Sequence, residues 1–162
     1  MVGGSQKNQA ESSRLDRAAS FILEEARIIL PGIQALFGFQ LIAIFNVGFG
    51  RLSRLDQHLH LVALVLVAIS VALVMTPAAY HRRSKREHVS GYFIDATSLL
   101  LSWALLFLML GTAIDAYVVT HLVIESAIGS VAIALLLFLI YLALWFIYPW
   151  LAHRRRQDQR GP

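Results

Sequence analysis

Asp115 interrupts an otherwise apolar stretch, and Val118, Val119, Leu122, Val123 and Ile124 carry that stretch on beyond it. A carboxylate placed in hydrocarbon is costly, so such a residue holds a proton, a cation or a partner side chain. Two roles follow for Asp115. One is to bind a cation or proton at an outer vestibule. The other is a salt bridge to Arg51 near the outer headgroups, which weighs more because Asp115 lies about one turn from the expected interface. Asn46, His121 and Glu125 are further groups that topology brings to this end. At 100° per residue, Ser98, Ser102 and Thr112 share a face about 80° wide, with Asp115 a neighbour of Thr112. Ser98, Ser102, Thr112 and Asp115 are thus candidate pathway or ion contacts.

A second group gathers at the opposite end, where Glu25, Arg27, Gln34, His81 and Arg82 form a candidate inner-mouth cluster with Asp95 nearby. A histidine among such charges can relay protons near neutral pH. The competing reading is that these residues anchor helix ends by snorkelling, and it weighs more. His58 and His60, with Asp56, resemble a metal set only weakly, because positions i and i+2 diverge on a helix. They read as solvated loop histidines.

Cysteine is absent, which excludes thiolate metal sites, Cys nucleophiles and disulfides. Ser102 has no His or Asp at a helical partner position. Phosphate-cradling glycine loops and zinc-binding helix motifs are missing as well. No cofactor, no metal and no enzymatic activity are expected.

Four long apolar segments must position these residues, at about 28–50, 61–80, 96–120 and 126–152. Each is near the ~20 residues a helix needs to cross a ~30 Å hydrocarbon core. Hydrophobic residues make up 57% of the 162, charged residues 15%, and Leu61 to Ile69 has no polar face. A soluble bundle needs one on every helix. The fold class expected is all-α: an integral membrane four-helix bundle with an N-terminal interfacial amphipathic helix.

In this scheme residues 1–12 are a disordered tail and 13–30 the amphipathic helix, with Pro31-Gly32 kinking or restarting the chain. One long helix bent at Pro31 is the simpler alternative. Ala68 and Ala72 form a small-residue pair suited to close helix contact, and so do Ser126, Ser130 and Ala134. Trp103 lies deep in its span and is expected to pack inside.

Charge sets the orientation. Twelve of the 14 Lys and Arg residues lie before the first span, between the second and third, or after the fourth, leaving only Arg51 and Arg54 in the first loop. The positive-inside rule then puts both termini and the middle loop in the cytoplasm of a multi-pass inner (plasma) membrane protein. The net charge of +4 follows topology, so no nucleic-acid partner is expected. The partners are the bilayer itself and anionic lipids at the cytoplasmic face, met by Arg82–Arg86 and by the basic tail 153–162. Four short spans leave little room for an internal path, so a homo-oligomer is expected.

Three stretches carry a family resemblance: Glu25-Ala26-Arg27 with Gly32 to Phe39, Arg51 to Asp56, and Pro77-Ala78-Ala79-Tyr80-His81-Arg82. Over roughly residues 20–125 they resemble a family of small four-span bacterial membrane proteins of unknown function, whose members are sometimes labelled sodium:proton antiporter. The fourth span is longer here, and Thr76 before Pro77 departs from the usual pattern. The resemblance implies the four-span fold, and Glu25, Arg27, Gln34, Pro77, His81 and Arg82 as the positions concerned with function. Conduction or transport of an ion or small solute by an oligomer is the leading expectation. A non-transporting structural or assembly subunit is the alternative.

Overall fold

The computed structural model describes residues 2–83, 91–151 and 154. Among them are four long helices and no strand: α1 (Val2–Ile44), α2 (Arg54–Arg83), α3 (Gly91–Ile124) and α4 (Ala127–Leu142). A π-helical turn, Ala143–Ile147, prolongs α4 and stacks Tyr141 on Trp145 at 4.8 Å. Beyond it, the Arg154 guanidinium lies 3.9 Å from the Trp150 ring centre.

The tail, the amphipathic segment and the first span are one helix. α1 begins at Val2 and runs unbroken through Pro31, which is exposed. Pro31 costs the helix one backbone hydrogen bond there without ending it. Extending an existing helix also avoids the nucleation cost that an isolated tail would face.

The chain turns after Ile44. The Asn46 Oδ1 accepts a hydrogen bond from the Gly48 amide at 2.9 Å, capping a 3₁₀ turn at Val47–Arg51. Ser53 then starts α2: its Oγ accepts from the Asp56 amide at 3.1 Å and donates to Asp56 Oδ2 at 2.7 Å. Ser53 is thus the side-chain N-cap of α2, with its hydroxyl held by Asp56. The helix therefore starts at Arg54, ahead of the expected span start at 61, and Asp56, His58 and His60 are helical rather than loop residues. α3 and α4 are joined through Glu125, whose φ of 55° makes the sharp reversal, and Ser126 caps α4 by accepting from the Gly129 amide at 3.4 Å.

Buried positions fall in a regular register. On α2, Asp56, His60, Ala63, Val67, Ser70, Val74 and Pro77 are all buried, at alternating spacings of four and three. On α3 the same alternation picks out Thr97, Leu101, Ala104, Leu108, Gly111, Asp115 and Val118, of which only Leu101 and Asp115 are part-exposed. On α1, the buried Ala26, Ile33 and Gln40 recur every seven residues. A 3.5-residue repeat keeps one seam facing the neighbouring helix, as in left-handed coiled coils. α2 and α3 share the most extensive interface, α4 packs on α3, and α1 lies mainly on α2.

Gly111 sets the closest approach. A Cβ there would fall 2.8 Å from Val67 Cγ2 and 3.0 Å from the Ala63 carbonyl oxygen. Seven residues away, Ser70 Oγ donates to the Ala104 carbonyl at 2.8 Å. The expected Ala68/Ala72 contact is not the one used, since Ala72 is exposed. Trp103 is also half-exposed, tilted against Phe107 at 6.2 Å.

Outside the seams the surface is apolar: Phe39, Ile42, Ile128, Val131, Leu135 and Leu136 are all exposed. Patches of that extent are incompatible with water. They suit acyl chains, and Glu24–Ile44, Arg54–Ala79, Ile94–Ile124 and Ala127–Leu151 are each long and apolar enough to cross a bilayer. The protein is a multi-pass α-helical membrane protein.

Candidate functional site

Toward the α1–α2 and α3–α4 junctions the three seams carry polar residues at the same level. Gln40 of α1, His60 of α2 and Asp115 of α3 occupy positions that are apolar or small one or two layers deeper, at Ile33, Ala63 and Gly111. Gln40 Nε2 donates to Asp115 Oδ2. His60 Nδ1 lies 2.9 Å from Asp115 Oδ1, and His60 Nε2 lies 3.0 Å from the Gln40 backbone carbonyl. Phe49, from the 3₁₀ turn, meets the His60 ring edge-on at 5.5 Å. His60 is only 6% exposed.

These contacts bear on where a proton fits. Neutral imidazole has one N–H and one lone pair. Both His60 nitrogens face acceptors, so a neutral ring beside an ionised carboxylate would aim a lone pair at an oxygen. Two arrangements avoid that: imidazolium against carboxylate, or neutral imidazole accepting from a protonated Asp115. Either way one proton lies between Nδ1 and Oδ1, and the pair is neutral overall. A neutral pair is also what a low-dielectric layer tolerates.

A second pair lies beside the first. His121 Nδ1 is 3.1 Å from Asp56 Oδ2 and 3.2 Å from Oδ1, and Tyr117 stacks on the His121 ring at 5.4 Å. Ser53 completes the Asp56 shell, and Gln57 Nε2 donates to the Phe49 and Leu52 carbonyls at 3.3 and 3.1 Å. This pair pins the 3₁₀ turn and α2 to α3.

Between α1, the 3₁₀ turn, α2 and α3 lies a cavity of about 410 Å³. Gln40, Asn46, His60 and Asp115 are its polar lining; Leu36, Phe39, Ala43, Phe49, Leu52, Val118, Val119 and Leu122 supply the apolar walls. Asn46 is committed to its turn through Gly48. Gln40 Oε1 is buried without a hydrogen-bond partner among the described residues.

The sequence-derived candidates are distributed differently from expectation. Asp115 meets Gln40 and His60, not Arg51, Asn46, His121 or Glu125, because the α2 start lies further back than the apolar run suggests. Ser98 and Ser102 lie about 100° and 140° around α3 from Asp115. Ser102 donates to the Ser98 carbonyl at 2.9 Å, and Thr112 to the Leu108 and Met109 carbonyls at 2.8 and 3.1 Å. Their hydroxyls are thus spent on their own helix, and none lines the cavity. Glu25 borders the α1–α2–α3 seam, whereas Arg27 and Gln34 lie about 160° and 180° around α1 from it. The side chains of His81 and Arg82 and the rest of the basic run to residue 86 lie outside the described residues, as does most of the 153–162 tail.

Fold and site together define a multi-pass helical bundle with a buried Gln–His–Asp layer lining an apolar cavity. The chain belongs to the family of unknown function DUF6328, which it matches over residues 8–149. Comparison with curated proteins and with solved structures gives no match.

Proposed function

We propose that this protein transports a small ion or solute across the cell inner membrane in linkage to protons, with His60–Asp115 as the protonatable centre. The observation that supports the proposal is the placement of both His60 ring nitrogens against acceptors, a geometry that suits a proton shared by the pair inside an apolar bundle. A proton held there costs stability that a purely structural seam residue would avoid, and intramembrane ionisable groups mark proton and ion pathways. The antiporter label on some members of the family that the sequence resembles accords with this reading.

Below the polar layer the seam is closed by fully buried Ala63, Val67 and Met109, so a single copy offers a dead-ended pocket. Passage across therefore takes a rearrangement, and a homo-oligomer with both termini cytoplasmic and basic ends on anionic lipid is the assembly we favour.

Proteoliposomes with a trapped pH dye test the reading. With an imposed pH gradient, adding Na⁺, K⁺ or a lipophilic cation should discharge the gradient in the wild type and not in a folded Asp115→Asn variant. A wild type no faster than empty liposomes across the whole panel overturns transport and leaves an assembly subunit.

A further inference from the structure

The cavity's chemistry selects among substrates, and we infer that it takes a lipophilic organic cation in exchange for the proton shared by His60 and Asp115. The inference rests on the proposed transport reading and narrows its substrate. Three observations carry it.

The first is the lining. Asp115 and its partner His60 are the lining side chains able to hold charge, and no Lys or Arg lines the space. Both His60 nitrogens already face Asp115 and the Gln40 carbonyl, which leaves the carboxylate as the charge a ligand can meet. Gln40 adds an unpartnered buried oxygen to the same layer. The aromatic rings of Phe39 and Phe49 complete a surface suited to cations with apolar substituents.

The second is what the site lacks for a bare metal ion. Hard cations are held by six or more oxygens. Among the lining side chains, the Asp115 carboxylate and the Gln40 amide oxygen are the oxygen donors, apart from Asn46 Oδ1, which is already bonded. No group of three His, Cys, Asp or Glu residues among the described ones is placed to hold a metal.

The third is access. Phe39, Val119 and Leu122 line the cavity and are also exposed on the outer surface of the bundle, by 71%, 61% and 47%. The opening between α1 and α3 faces the acyl chains, and a molecule already dissolved in the bilayer reaches it without crossing water. A volume of about 410 Å³ is at the small-molecule end of ligand pockets.

The exchange balances. The empty pair carries one proton and no net charge. A monovalent cation that ion-pairs with the Asp115 carboxylate leaves His60 neutral, and the proton departs to water, so the occupied site is again neutral. Neutral His60 then turns a lone pair toward either Asp115 Oδ1 or the Gln40 carbonyl, a clash that favours movement of α1 or α2. The other titratable groups at this end are Asp56 and His121, bonded to each other, Tyr117 on His121, and the outlying Arg51, Arg54, His58 and Glu125.

Titration calorimetry with tetraphenylphosphonium on the protein in nanodiscs tests this. Repeating it in buffers of different ionisation enthalpy counts the protons released. The expected result is saturable binding with one proton released per cation, weakening about tenfold for each unit the pH is lowered while the empty site is protonated. Asp115→Asn should abolish both binding and release. Phe49→Leu should weaken binding while preserving the one-proton count, which a folding defect would not do. Tetramethylammonium and Na⁺ should not bind. Absence of saturable tetraphenylphosphonium binding, or binding with no proton release, overturns the inference. So does Na⁺ discharging the liposome gradient while tetraphenylphosphonium does not, which leaves proton-linked transport standing. Proton-releasing binding without flux sustains the exchange site and sinks transport instead.

Discussion

Gln40, His60 and Asp115 form a unit whose members cannot be removed singly without stranding the others. Replacing Asp115 with Leu leaves His60 Nδ1 and Gln40 Nε2 unpartnered in an apolar layer, an imbalance worth about 1–3 kcal/mol. Replacing all three with Leu removes the polar groups together, and buried ionic groups exchanged for packed apolar ones are often neutral or stabilising. The expected outcome in detergent melting is a lower Tm for Asp115→Leu and a Tm at or above wild type for the triple variant, which should be inactive in liposomes. A triple variant that unfolds would make the layer a structural necessity. Asp115 was legible in the sequence as a carboxylate inside an apolar run. His60 was not, because the apolar run begins at Leu61 and the His-x-His spacing suggested a loop. Counting back from Val67 by four and three passes Ala63 and lands on His60 and then Asp56. That register was the available signal.

At the level of the helices, the register of α2 on α3 decides which polar residues meet, and Gly111 is where it is fixed. A valine at Gly111 must displace a backbone carbonyl of α2 as well as Val67, and overpacking of this kind costs about 1–3 kcal/mol. Gly38, whose Cβ would meet nothing within 4 Å, is the control. Gly38→Ala should be neutral or stabilise by up to about 1 kcal/mol through helix propensity. Melting of the two variants checks the pair: equal Tm values would show that the α2–α3 contact is looser than the seam implies. Ser53→Ala removes the α2 cap and should cost about 1 kcal/mol. The existence of four helices was plain from hydropathy. The start of α4 beside Ser126 was plain too, but the α1–α2 junction and the start of α2 were not, since Asn46 and Ser53 act through local hydrogen bonds that no apolar count detects. That α1 is one helix was equally hidden, since Pro31 lies inside it without ending it.

Across the whole molecule, the polar layer lies at the end where α1 meets α2 and α3 meets α4, the end that the charge distribution assigns to the outside. The chain has no cysteine, so single-cysteine variants report orientation directly. Glu125→Cys should react with an impermeant maleimide on intact cells, and Gln6→Cys only after lysis. The reverse pattern would turn the cavity toward the cytoplasm. Composition made the membrane class evident, but it could not show that Gln40, His60 and Asp115 meet in one layer. That is a matter of three helices in register.

The most direct measurement is a solid-state NMR spectrum of the protein in bilayers near pH 7, with ¹⁵N in the His60 ring and ¹³C in the Asp115 carboxyl. The expected spectrum shows either a doubly protonated ring with an ionised carboxylate, or a singly protonated ring with a carboxylic acid. A singly protonated ring beside an ionised carboxylate would contradict the shared proton, and with it the proposed transport centre.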